Sequence, residues 1–281
     1  MTTSKLGTGT NYSGLSGFSW PTGLNPRTFN IPSTKKHKLI DIDFSDINII
    51  MDSGSATATI GLSGELFTEN DWTGLRKQIN FTSLDSVGEI QDFNQKLYLN
   101  SSSKFFWVRG ASFLDTRNAD LPTSYPYTCT VIKIHPWLYY DALAGTSGTT
   151  TGTTKTISGT DLNNDGNAYV FPWFEITNNT GNDITGIEIT DGTNTITWTG
   201  TLEAGKSLRI VQEHLPDYNL DGWTAYKYDS TDFSDTPSSQ SGLSGNKIYF
   251  SGNTGSHSID FTLSGNNDTA TVAVRFRERD Y

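Results

Sequence analysis

Two short stretches carry the clearest chemistry in the chain. Asp161-Leu162-Asn163-Asn164-Asp165-Gly166 and Asp217-Tyr218-Asn219-Leu220-Asp221-Gly222 both follow the pattern D-x-N-x-D-G. That spacing sets three oxygen ligands on one side of a turn, and the glycine lets the chain bend back, an arrangement suited to a hard cation such as calcium. Asp161, Asn163 and Asp165, and likewise Asp217, Asn219 and Asp221, are therefore candidate calcium ligands. An EF-hand is excluded, because its twelfth position falls on Pro172 and Tyr228 where a bidentate Glu is required. The alternative use of each motif is an Asx turn opening a strand, with no cofactor. A second chemistry is open to the tryptophans. Trp173, Trp198 and Trp223 could stack on sugar rings, although an alternating strand more often turns such a ring into the core.

The remaining reactive residue types form no recognisable catalytic set. No nucleophile elbow, HExxH, CxxC or phosphate-binding glycine loop occurs. His37, His135, His214 and His257 are dispersed, and 30 carboxylates offer no means of choosing an acid/base pair. Cys129 alternates with apolar neighbours and reads as a small core residue. As the sole cysteine it excludes intrachain disulfides. No catalytic residue is assigned, and the chain reads as a non-enzyme.

Composition narrows the class further. A net charge of −10 argues against a nucleic-acid partner, since phosphate binding needs a basic face. No apolar run approaches the roughly 20 residues of a membrane span, and Met1-Thr2-Thr3-Ser4-Lys5 lacks the apolar core of a signal peptide. Aromatic residues make up 12% of the 281 residues, enough for packed cores in two domains.

The elements that must position these residues are mainly strands. The most legible stretch is Asn167 to Val211, where apolar and polar residues alternate in short runs separated by Asn-Gly, Gly-Asn and Asp-Gly pairs. Antiparallel strands in a two-sheet β-sandwich bury such faces. Residues 1–36 read as an arm without a core of its own, laid on its own domain or a neighbouring subunit, carrying Phe18, Trp20 and Phe29. Residues 37–143 read as a β-barrel or curled sheet with one or two short helices. The first helix carries Trp72, Leu75 and Ile79 on one face, capped by Asn70 or Asp71. The second covers roughly Ser83 to Leu97. The span 144–160 has Gly145 to Thr156 without one apolar side chain, a flexible linker or long exposed hairpin. The sandwich domain then runs over 161–281, with a Ser/Asp/Gly-rich stretch at 229–247 as a long loop. Thr271 to Arg277 is its last strand, with Val272, Val274 and Phe276 on one face.

The order of these features resembles a known family. "IGLSGELFTENDWTGLRKQIN", "KFFWVRGASFLDTR" and "YPYTCTVIKIHPWLYY", closing on Pro136-Trp137-Leu138-Tyr139-Tyr140, are similar to the ring-forming domain of the distal tail proteins of long-tailed viruses. "AYVFPWFEITNNTG" (Ala168 to Gly181) and "LEAGKSLRIV" (Leu202 to Val211) resemble the opening of their second domain. The likeness covers most of residues 38–211. It implies a structural virion protein, assembled in the host cytoplasm, that forms a homo-oligomeric ring, commonly of six copies. The ring would join the tail tube to the tip or hub proteins, with a galectin-like or carbohydrate-binding-module-like second domain facing outward. Two alternatives stand beside it: a tail-tube protein with an extra outer domain, and a carbohydrate-binding, receptor-binding module.

Overall fold

The computed structural model describes residues 5–7, 18–19, 28–30, 35–41, 48–55, 59–79, 82–84, 90–92, 95–98, 103–115, 124–133, 135, 137–179, 181–218, 220–253, 255–265 and 269–280. The chain is mainly β and divides into two compact units, Met1–Tyr139 and Tyr140–Tyr281. Among the described residues no helix is long and apolar enough to cross a membrane.

In the first unit one antiparallel sheet holds, in order, Phe18–Ser19, Lys5–Gly7, Gln95–Tyr98, Lys104–Asp115, Tyr125–Lys133, Thr59–Leu66 and Thr28–Asn30. The described segments Lys5–Gly7, Phe18–Ser19 and Thr28–Asn30, from the stretch read as an arm, therefore pair within this sheet, and Phe18–Ser19 and Thr28–Asn30 stand at the two ends of this order. The side chains of Phe18, Trp20 and Phe29 lie outside the described residues. Lys35–Asp41 and Asn48–Ser55 pair as a separate hairpin.

Glu69–Ile79 is the helix read from the sequence, and Trp72, Leu75 and Ile79 are all buried as their spacing requires. Its N-terminus is held by Thr68, not by Asn70 or Asp71: Thr68 Oγ1 accepts from the Asp71 N–H at 3.1 Å and donates to Asp71 Oδ2 at 2.7 Å. The helix packs on Ile60, Leu62, Phe106, Val108, Cys129 and Val131, and Trp72 meets Phe113 edge to face at 5.3 Å. Burial pushes the Cys129 thiol up to about 12, consistent with a packing role. Among the described residues of the second expected helix, Ser83 to Leu97, none is helical. The described ones belong to the short strands Thr82–Leu84 and Ile90–Asp92, paired with each other, and to Gln95–Tyr98. The apolar positions of this stretch suited a helix, but the β-branched and turn-forming residues between them suit hairpins better.

The second unit contains a six-stranded and a five-stranded antiparallel sheet. The six-stranded order is Ala144–Thr149, Thr271–Phe276, Trp173–Thr177, Ser207–Val211, Thr224–Tyr228, Ser238–Gln240; the five-stranded order is Thr154–Ser158, Ser258–Ser264, Gly186–Thr190, Thr195–Trp198, Leu243–Gly245. Residues from both sheets share one core, including Phe174, Ile176, Ile189, Trp198, Leu208, Phe261, Val272 and Phe276.

Two expectations about loops are corrected here. The stretch read as a flexible linker or a long exposed hairpin is neither free chain nor a pair of strands bonded to each other: it supplies one strand to each sheet, Ala144–Thr149 against Thr271–Phe276 and Thr154–Ser158 against Ser258–Ser264. Threonine is β-branched and its ladder bonds come from the backbone, so an apolar side chain is not needed at a sheet edge. Gly145 also has a structural reason: at φ 116 its position would bring a Cβ within 2.1 Å of the Val274 carbonyl oxygen. Within 229–247, Ser238–Gln240 and Leu243–Gly245 likewise extend the two sheets.

Gly110 fixes the seat of the helix. A Cβ there would lie 1.8 Å from the carbonyl oxygen of Ile79, so strand and helix end touch backbone to backbone. Gly110→Ala is expected to destabilise the protein by about 1–3 kcal/mol or more through overpacking, read by denaturant unfolding. Wild-type stability in that variant would contradict this packing.

Candidate functional site

The two calcium motifs prove to have different uses. In the second, the Asp217 carboxylate receives Arg277 in a fork, Nε to Oδ2 at 3.1 Å and Nη2 to Oδ1 at 3.1 Å, with both side chains 7% exposed. Asp217 is therefore committed to a guanidinium and is not available as a cation ligand. Asp221 is tied through its backbone, its N–H donating to the Tyr226 hydroxyl at 2.9 Å. Asn219 lies outside the described residues.

In the first motif, Asp161 and Asp165 are exposed while Asn163 is half-buried with its Oδ1 out of reach of solvent. The residue that organises this loop is one the metal reading passed over. Asn164 is fully buried, and its Nδ2 donates to the carbonyls of Ala168 at 2.8 Å, Phe250 at 3.2 Å and Ser251 at 3.1 Å. The motif thus ties the loop into the second unit as an Asx-type device. Among the described residues no group of three or more His, Cys, Asp or Glu could hold a metal ion.

The tryptophans also separate. Trp198 is 1% exposed in the shared core, its Nε1 donating to the Ser241 carbonyl. Trp173 is 3% exposed and packs against Tyr218 on the opposite face of its sheet. Neither ring can offer a face to a sugar, because the strand alternation and the loops above it enclose both. Trp223 differs: it is half-buried, and its φ of 54° is a left-handed conformation that a bulky side chain rarely adopts.

Around Trp223 the structure gathers a surface that was not legible as a set. Val170 and Phe250 exchange backbone hydrogen bonds at 2.9 Å each and turn inward, so their neighbours Tyr169, Phe171 and Tyr249 turn outward. Gln212 fastens both segments from beneath, donating to the Pro172 carbonyl at 2.7 Å and accepting from the Ile248 N–H at 2.7 Å. Tyr169 and Tyr249 are 40% and 51% exposed, the rings of Tyr169 and Phe171 meet edge to face at 5.5 Å, and the Lys247 ammonium lies over Phe171 at 5.3 Å and Trp223 at 6.0 Å. Arg279 supports this surface: its Nε donates to the Tyr169 carbonyl at 2.7 Å and its Nη1 to both oxygens of Glu213 at 3.0 and 3.1 Å. Packing raises the Glu213 pKa above the usual carboxylate range, an effect that Arg279 and then Lys247 reduce without cancelling.

No protein-family model and no curated sequence matches the chain. Solved structures do. One is the crystal structure of the Dit protein of phage SPP1, described as a paradigm of the hub adsorption apparatus in phages infecting Gram-positive bacteria; it is 12% identical, covers 99% of both chains and has a TM-score of 0.52. Another is the phage P2 baseplate in its activated conformation with Ca, 10% identical over 99% of this chain and 98% of that one, with a TM-score of 0.55. The chain has the distal tail protein fold. Coverage of nearly the whole length means that both units follow this fold, including residues 212–281, where the sequence offered no match.

Within the distal tail fold of this chain, the Asp217–Arg277 pair has a direct test. Asp217→Ala leaves a buried guanidinium without its carboxylate and is expected to cost about 3–5 kcal/mol in the second unit, seen as a lowered melting temperature. Wild-type melting of that variant would contradict the pairing, and protection of the wild type by calcium that vanishes with Asp217→Asn would restore the metal reading of this loop.

Proposed function

We propose that this chain is a structural protein of a phage tail, forming a closed ring of six copies at the distal end that joins the tail tube to the host-recognition tip. The observation that carries this reading is the end-to-end likeness in fold to a hub protein and a baseplate protein of phages. The first unit, with its antiparallel sheet and single described helix, would be the tube-like ring domain. The second, read as a galectin-like β-sandwich of the six- and five-stranded sheets, would face outward. Such a protein is a virion component assembled in the host cytoplasm, with tail-tube and tip proteins as partners and no catalytic step. Asp161, Asn163 and Asp165 remain the proposed position for calcium, which would serve as a structural ion and not as a reagent.

The likeness runs through both units, which favours the ring protein over a free carbohydrate-binding module. A head-to-tail contact closes into a ring when its rotation divides the circle; otherwise it propagates as a filament. Mass measurement of the full-length protein over a range of concentrations, alone and with purified tail proteins, is expected to give a species of six copies. A protein that stays monomeric under all these conditions would overturn the ring, and indefinite polymerisation would transfer the reading to a tail-tube protein with an extra outer domain.

A further inference from the structure

The two sides of the second unit end in different ways. On one side the sheets finish in Ser238–Gln240 and Leu243–Gly245, three residues each, too short to template a further strand. On the other they finish in Ala144–Thr149 and Thr154–Ser158, six and five residues rich in threonine and serine. The turn Thr160–Leu162 lies against the first of these strands, whereas no described strand pairs with the outer edge of the second. We propose that the Lys155 ammonium keeps this edge from adding a strand of a second copy of the chain. This goes beyond the ring reading and does not depend on it.

The strand is otherwise well suited to pairing. Thr154, Thr156 and Ser158 are exposed and uncharged, and β-branched residues favour extended pairing. A free row of backbone N–H and C=O groups on such a strand is a template for another chain. Lys155 is the one charged residue in either of these two strands, and it does not alternate outward. Ile157, two residues on, is buried in the shared core, and Lys155 and Ile157 lie opposite the core residues Phe261 and Ile259. The alternation therefore turns Lys155 towards the gap between the sheets.

Gly148 gives the Lys155 stem a place to lie. Gly148 is in register with the core residue Val272, and a Cβ on it would come within 2.5 Å of Lys155 Cε and 3.2 Å of its Nζ. The absent side chain opens the mouth of the sandwich, and the Lys155 stem crosses that mouth from one sheet edge to the other. Lys155 is half-buried, so its methylenes pack while its charge stays wet. Among the described residues it forms no ion pair, which leaves water as the partner of its ammonium. A strand laid along Thr154–Ser158 would strip that water and leave an unpaired cation beneath it, a costly state. The cost falls on pairing alone, because the single chain keeps the ammonium solvated. Copies held side by side in a ring meet at a high effective concentration, which is where a bare edge would do most harm.

The test uses the full-length chain, with mass measured over a range of concentrations and amide hydrogen exchange read at residues 154–158. Lys155→Val and Lys155→Thr both remove the charge and leave a residue type that strands favour. Each is expected to form species beyond the wild-type mass, at concentrations about tenfold lower than the wild type needs to do so. The amides of 154–158 are expected to gain protection as those species form, and Lys155→Arg is expected to behave as the wild type. Wild-type mass at every concentration, in an uncharged variant that melts like the wild type, would overturn the proposal. Added mass that leaves 154–158 exchanging as before would also overturn it, since the new contact would lie elsewhere. Loss of folding in both uncharged variants would overturn it too, by making Lys155 a residue that the fold itself needs. Each comparison is with the wild type's own mass, so a wild type that forms no ring defeats the ring reading and leaves this test intact.

Discussion

Three buried arginines hold the second unit together. Arg209, Arg277 and Arg279 are 4%, 8% and 1% exposed, and each meets a carboxylate: Glu175, Asp217 and Glu213. Arg209 directs Nε and Nη2 to Glu175 Oε1 at 3.0 and 2.7 Å, donates to the Tyr228 hydroxyl at 3.1 Å, and lies over Tyr218 and Phe233 at 4.1 and 4.8 Å. Moving such cations out of water costs several kcal/mol each unless every donor is satisfied, and removing one partner strands the other. Arg277 and Arg279 therefore pin the loop that contributes Asp217 and Glu213, while Arg209 pairs with Glu175 on the neighbouring strand and lies beneath Tyr218 and Phe233. That loop in turn covers a sheet face that alternation alone would leave in water.

This constraint explains why the two sheets behave differently. Ser258–Ser264 shows strict alternation, with Ile259, Phe261 and Leu263 inside and polar residues outside. Ser207–Val211 is buried at every position, because Leu208 and Ile210 face the shared core while Val211 joins Trp173, Leu215, Leu220, Tyr226 and Tyr228 in a second cluster. The same loop that brings Asp217 to Arg277 also brings Glu213 to Arg279 and continues to Trp223. The aromatic surface is thus the outward side of the arginine framework. In the first unit the equivalent closeness is between backbones, at Gly110 and Ile79.

The fold was legible where periodicity and burial coincide. The helix face of Trp72, Leu75 and Ile79 and the last strand with Val272, Val274 and Phe276 occupy the buried positions that their spacing demands. Strands made of threonine and glycine at 144–158 escaped, since ladder hydrogen bonds leave no trace in side-chain hydropathy. The same holds for Lys5–Gly7 and Thr28–Asn30, whose pairing partners are distant in sequence. The D-x-N-x-D-G spacing marked two loops, but not the partners that their side chains take. Nothing local tells Asp217 that its partner is Arg277, sixty residues later. Trp223, Tyr169 and Tyr249 are likewise gathered by topology.

The central claim is that a chain with this fold assembles as a ring at a tail end, and electron microscopy of the purified full-length protein with its tail partners tests it most directly. The account predicts discrete rings with six-fold symmetry and a central opening. Isolated two-lobed particles without rings, or stacked tubes of indefinite length, would contradict it.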